Sequence, residues 1–398
     1  MRGGNVIPNT NYGNLKDSYL FYNIAQKTAA YLENNPGKQL LRMGIGDVSQ
    51  PLCPAVIEEL KNAVEDQAHI ETFHGYMPEC GAPFLRETIA GYYSKRGIEL
   101  DTDEVFVSSG ASDELGDILD LFGRGKTVLI PEPAYPAYVD ANIMAGNTIV
   151  HLPSGRENGF LPEPPENRSI DIIYICSPNN PTGAVFNREK LKKWVEYANN
   201  IQAIILFDAA YEAFIEEEDI PHSIYEIPGT KTCAIEICSL SKTAGFTGTR
   251  CGYTIVPKTI VRGEMNLNSM WVRNRTTKTN GISYILQRGA AAVFTDEGQK
   301  QIHNTLSIYK QNAKTIMKAL DKAGIWYTGG KNAPYVWLEC PNGMDSWQFF
   351  DLLLNEIQVV GTPGEGFGTC GKNFFRFSTF GKPADTNEAA KRLLKLLG

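Results

Sequence analysis

Short apolar runs alternate with amphipathic stretches through the middle of this chain, a pattern that predicts a wound α/β sheet. Six runs read as strands, at 104–108, 127–130, 170–176, 203–207, 233–238 and 252–256. Between them, residues 187–199 carry Leu191, Trp194, Val195 and Ala198 at helical spacing, and Leu115, Ile118, Leu119 and Phe122 stripe a helix over 113–122. From about residue 300 the pattern changes. A long amphipathic helix (296–323) leads to short strands at 335–338 and 374–378, and 388–397 reads as a final helix. That end of the chain predicts a smaller α+β domain, joined by part of the N-terminal segment.

The polar clusters follow the strands directly. Gly110-Ala111-Ser112, Pro133-Ala134-Tyr135-Pro136, Ser177 to Gly183, Asp208-Ala209-Ala210-Tyr211 and Ser239 to Lys242 each stand at a strand's carboxyl end. In an open α/β sheet those ends line the ligand crevice. Five strands thus bring polar chemistry to one rim.

Composition narrows the classes. A chain of 398 residues, 42% hydrophobic and 21% charged, is ordinary for a soluble globular protein large enough for two domains. A net charge of -7 excludes a broad nucleic-acid surface, and no apolar run approaches the roughly 18 residues of a membrane span. Residues 1–5 do not read as a secretory leader, and the eight cysteines and five histidines lack metal-ligand spacing. A cytoplasmic protein with reduced thiols and no metal is the expectation.

The run from Ser239 to Arg250 is the most specific chemistry. Lys242 sits among small hydroxyl and glycine residues, the setting of an amine that attacks an aldehyde. Ser239, Ser241 and Arg250 suit a phosphate dianion such as that of pyridoxal 5'-phosphate (PLP), and Ala111 and Ser112 open a helix whose free N–H groups favour the same anion. Asp208 ends an apolar strand, where an unpaired carboxylate is costly, so it reads as the partner of a protonated ring nitrogen or else as a helix cap. Tyr211 and Asn180 are candidates for the cofactor's ring oxygen, and Tyr135 for stacking on its face. Arg376 interrupts an apolar strand and is the candidate for a substrate α-carboxylate, with a structural salt bridge as the alternative.

Asn180-Pro181-Thr182-Gly183, Asp208-x-x-Tyr211 and Ser239-x-Ser241-Lys242 followed by Arg250 resemble the motifs of the fold-type I PLP-dependent aminotransferases over nearly the whole chain. The resemblance implies a mostly parallel seven-stranded sheet in a large PLP-binding domain (47–295) and a small C-terminal domain (296–398). It also implies an N-terminal arm that supplies part of the small domain (1–46), and a homodimer with shared active sites. Within that family the chain is similar to the LL-diaminopimelate aminotransferases, through Gly44-Ile45-Gly46-Asp47, Gly75 to Gly81, Tyr135 to Asp140 and Thr362 to Gly368. Carried over by position, Tyr76 reaches the cofactor phosphate of the second subunit, Glu79 reads the distal end of the substrate, and Tyr19, Gly46 and Asn280 line the substrate pocket. The implied reaction interconverts tetrahydrodipicolinate plus glutamate with LL-2,6-diaminopimelate plus 2-oxoglutarate. Three positions depart from the pattern: Ser112 where lysine is usual, Gln50 where arginine is usual, and Thr279 where an aromatic is usual. Transamination of an aromatic or aliphatic amino acid therefore stays open, as does a PLP-dependent lyase on the same fold.

Overall fold

The computed structural model describes residues 6–15, 20–166 and 169–398. Its large sheet has seven strands: β1 (Val105–Ser108), β2 (Thr127–Glu132), β3 (Thr148–Pro153), β4 (Ile172–Cys176), β5 (Ile204–Asp208), β6 (Ala234–Ser239) and β7 (Gly252–Ile255). They lie in the order β1-β7-β6-β5-β4-β2-β3. Pairing is parallel except at β7, which runs antiparallel to both β1 and β6. Every residue of β4, β5 and β6 is buried, as expected of strands covered on both faces.

Six of these strands coincide with the apolar runs. The seventh, β3, sits at the sheet's edge with every residue half-buried or exposed, so it carries no continuous apolar signal. The helix expected at 187–199 forms over Arg188–Ile201, with the Asn187 side chain accepting from the Lys190 N–H as its N-cap. Leu191, Trp194, Val195 and Ala198 are its buried face. The stripe at 113–122 forms a helix over Ala111–Asp117 that tightens into a 3-10 turn at Ile118–Leu121. The last helix begins at Pro383, five residues ahead of the expected start, because proline at the first turn sacrifices no hydrogen bond.

A second, antiparallel sheet holds β8 (Tyr327–Gly329), β9 (Tyr335–Glu339), β10 (Thr362–Pro363) and β11 (Phe374–Ser378), in the order β8-β9-β11-β10. Leu41 and Arg42 pair in parallel with Val359 and Val360, and Leu20, Ile24 and Met43 pack into the same core. The helix Asp296–Ala323 spans both cores: Ile302, Leu306 and Tyr309 pack on the large sheet, Ile316 and Leu320 on the small one. No helix among the described residues is long and apolar enough to cross a membrane.

Candidate functional site

The carboxyl ends of β1, β2, β4, β5 and β6 surround a cavity of about 440 Å³, closed from the other side by β9, β11 and residues 45–47. Ala111, Ser112, Tyr135, Asn180, Asp208, Tyr211, Ser239, Ser241, Lys242 and Arg250 all line it, together with Gly46 and Arg376. Residues scattered over most of the sequence are thereby brought to one rim.

Lys242 follows β6 in a single helical turn, Leu240–Thr243, capped by Ser239, whose hydroxyl accepts from the Ser241 N–H at 3.2 Å. Its amine donates to the Gly46 carbonyl and lies 5.8 Å from the centre of the Phe380 ring. Burial pushes the lysine down to about 8; the Asp47 carboxylate opposes this, and the positive charges of Arg250 and Arg376 reinforce it. A neutral, nucleophilic amine is thus accessible near physiological pH.

Arg250 is fixed by its neighbours. Its backbone is left-handed (φ 62°), and its Nη1 donates to the Ser241 hydroxyl at 3.1 Å and to the Thr247 carbonyl at 3.3 Å. The guanidinium passes directly over Gly110, where a Cβ would lie only 2.5 Å from Nη2. Gly110 itself has φ 128°, a conformation L side chains rarely adopt, so the bare backbone there serves both the turn into the helix Ala111–Asp117 and the approach of the arginine. Ser239, Ser241, Arg250 and the start of that helix make a set of donors suited to a phosphate.

Asp208 is buried at the end of β5. Its Oδ2 accepts from the Tyr138 hydroxyl at 2.5 Å and its Oδ1 from the Ala210 N–H at 3.0 Å. Burial raises this carboxyl above its ordinary range, while those two donors hold it down. A cationic ring nitrogen beside it would favour the charged form further. Tyr211 shares a hydrogen bond of 2.9 Å with Tyr335, and burial raises its hydroxyl well above the ordinary range.

Arg376, on β11, is 1% exposed. Its Nη1 donates to Asn180 Oδ1 at 2.6 Å and its Nη2 to the Gly44 carbonyl at 2.7 Å. The guanidinium stacks over the rings of Tyr335 (4.3 Å) and Phe367 (4.9 Å). Asn180 thus connects the turn after β4 to the small sheet, and the turn is braced by Asn179, which accepts from the Thr182 N–H and hydroxyl.

Other expected site residues lie elsewhere. Tyr19 is outside the described residues. Tyr76 is 89% exposed and, like Glu79 and Asn280, does not line the cavity. These three nevertheless belong together: a Cβ on Gly281 would be 2.5 Å from the Met77 carbonyl, so the Asn280 segment lies against the segment bearing Tyr76 and Glu79. Of the three departures, Ser112 lines the cavity; Gln50 donates its N–H to the Tyr309 hydroxyl, and Thr279 accepts from the Gly281 N–H. Sequence reasoning missed Tyr138, Tyr335, Phe367 and Asp47. Asp47, Tyr138 and Phe367 stood inside recognised stretches but were given no role there; Tyr335 stood in none. No cluster of three or more metal-ligand side chains occurs among the described residues.

Chemically, the cavity can hold a phosphate on hydroxyls and a guanidinium, a cationic ring against a buried carboxylate, a carbonyl carbon before a deprotonated amine, and a carboxylate on Arg376. Comparison with known proteins agrees. The family model "Aminotransferase class I and II" matches residues 38–393. The LL-diaminopimelate aminotransferase of Azobacteroides pseudotrichonymphae is 50% identical, with 98% of each chain covered. That of Lachnospira eligens is 48% identical over 98% of this chain and 99% of its own. Among solved structures, L,L-diaminopimelate aminotransferase from Chlamydomonas reinhardtii superposes with a TM-score of 0.93 at 37% identity, covering 99% of both chains.

Proposed function

Because the chain belongs to the class I and II aminotransferases, and within them to the family of the LL-diaminopimelate aminotransferases, we propose a reversible PLP-dependent transamination with glutamate as nitrogen donor and LL-2,6-diaminopimelate as the product. Its second substrate is tetrahydrodipicolinate, which places the reaction in lysine biosynthesis. The observation that carries the reading is the joint presence, in one cavity, of an amine lowered to about 8, a buried carboxylate and two arginines.

The residues fit PLP. Ser239, Ser241 and Arg250, with the N–H groups at Ala111 and Ser112, would hold its phosphate; Tyr135 would face the ring, and Asn180 and Tyr211 would serve the ring oxygen. When bound, PLP supplies an aldehyde that takes up the substrate nitrogen and a ring that accepts the electron pair left at Cα. Asp208 would keep the ring nitrogen charged, which would make that acceptance favourable. Lys242 would hold the cofactor covalently and, as a free amine, would move the proton at the substrate Cα. Burial lowers that amine to about 8, so its neutral form is within reach for the transfer. Arg376 takes the α-carboxylate in two parallel hydrogen bonds and so orients the Cα–H bond. In this reading residues 47–295 handle the cofactor, and 296–398 with 1–46 handle the substrate carboxylate.

A homodimer completes the proposal. Tyr76 is exposed beside Ile70 (86%) and Phe73 (59%), an apolar set suited to burial against a second copy. Tyr76, Glu79 and Asn280 then serve the second copy's cavity.

Borohydride reduction of the PLP-loaded protein, followed by peptide mass mapping, should find the added mass on the peptide containing Lys242. LL-diaminopimelate with 2-oxoglutarate should yield glutamate faster than any aromatic or aliphatic amino acid does. Label on another lysine, or a faster aromatic substrate, overturns the corresponding part of the proposal.

A further inference from the structure

Strand β2 ends in a buried acid that this chemistry does not use. Glu132 is 5% exposed. Its Oε1 accepts from the Thr369 hydroxyl at 3.1 Å and from the Cys370 N–H at 3.2 Å, and its Oε2 stands 3.6 Å from His151 Nδ1 on β3. Its main-chain carbonyl accepts from the Ser154 N–H (2.9 Å) and hydroxyl (2.8 Å). The loop it grips, residues 364–371, is shaped around it. At Gly368 (φ 120°) a Cβ would come within 2.0 Å of Glu132 Oε1. Two residues beyond Glu132, the Ala134 N–H donates to the Phe367 carbonyl at 2.9 Å.

That loop borders the site through Phe367. The Phe367 ring lies 4.9 Å from the Arg376 guanidinium carbon, while Tyr135, next after Ala134, lines the cavity on the large-sheet side. A chain of contacts therefore runs from a carboxylate on the large sheet, through the loop, to the aromatic seat of the arginine on the small sheet. We propose that Glu132 is a positioning residue: through Thr369, Cys370 and Phe367 it sets where Arg376 stands relative to the large-sheet wall, and hence how well a substrate α-carboxylate is met. The inference rests on the assignment of Arg376 as the carboxylate site. An apolar residue would fill the same space, but only an acceptor satisfies the Thr369 hydroxyl and the Cys370 N–H and so fixes the loop in one place.

The test compares wild type with Glu132→Gln, which keeps an acceptor, and Glu132→Ala, which removes it. Hydrogen exchange is read over residues 364–376. The single-turnover reaction of the PLP-loaded proteins is read with glutamate and with 4-aminobutyrate, which lacks the α-carboxylate. Glu132→Ala should speed exchange at Cys370 and raise the half-saturating glutamate concentration about tenfold, the loss of one charge-assisted hydrogen bond. Its rate with 4-aminobutyrate should stay within about twofold, and Glu132→Gln should restore most of the glutamate affinity. Equal losses with both amines, or an unchanged exchange profile, overturn the inference. Faster exchange in Glu132→Ala supports the grip even if the wild type reacts with no amino acid, a result that would instead overturn the aminotransferase proposal.

Discussion

Replacing Gly110 by alanine tests whether the phosphate grip is built as described. The new Cβ would stand 2.5 Å from Arg250 Nη2 and 3.2 Å from its Cζ, against an ordinary contact of at least 3.4 Å. The guanidinium must therefore retreat by nearly an ångström. Its bonds to Ser241 (3.1 Å) and Thr247 (3.3 Å) are already long, so the shift breaks the geometry that aims it. A charge-assisted hydrogen bond is worth about 1.5–3 kcal/mol, which corresponds to PLP binding weakened by roughly 10- to 150-fold. Separately, an alanine at φ 128° costs about 1–3 kcal/mol of backbone strain, and this lowers the stability of the cofactor-free and cofactor-loaded forms alike. Titrating apoprotein with PLP, followed by visible absorbance, measures the first effect; denaturant unfolding of the apoprotein measures the second. A double-mutant cycle separates them: with Arg250→Ala already in place, Gly110→Ala should weaken PLP little further. The reasoning fails if Gly110→Ala binds PLP within twofold of wild type, or weakens it equally whether or not Arg250 is present.

Asp208→Asn keeps the shape at the end of β5 but removes the charge, so turnover should fall by at least about 100-fold, roughly 3 kcal/mol, while PLP still binds; steady-state kinetics at saturating PLP checks this. The Lys242 amine carries a pH signature in the apoprotein. Its folded value of about 8 lies below the unfolded 10.5, so between those values the unfolded chain binds more protons and stability rises with pH. Lys242→Met should remove that rise, worth at most about 3 kcal/mol, from unfolding curves taken from pH 7 to 10.5.

What the sequence made legible follows from how local each signal is. Asp208, Asn180 and the Ser239–Lys242 run stood out because each polar group comes straight after an apolar run, and the end of a parallel strand has one destination. Arg376 stood out as a charge within Phe374-Phe375-Arg376-Phe377. Strand β3 was silent because an edge strand with half-exposed residues needs no apolar run. Tyr138 and Tyr335 were silent for another reason: a tyrosine looks the same in a core as beside a buried carboxylate, and only the folded chain brings Tyr138, on the helix after β2, to Asp208, and Tyr335, on the small sheet, to Tyr211. Glu132 and Thr369 are far apart in sequence and meet only across the boundary between the sheets.

The reversed direction of β7 has a consequence for how this site can vary. Ser239 and Gly252 are paired neighbours, so the excursion that carries the amine and the guanidinium leaves and re-enters the sheet at one point. It is a closed circuit of fixed circumference. Inserting or deleting a residue there would change the spacing between two groups that line the same cavity, whereas a side-chain exchange would not. Divergence in this stretch should therefore proceed by substitution at constant length, and changes of loop length should gather where a segment does not have to return to its own origin.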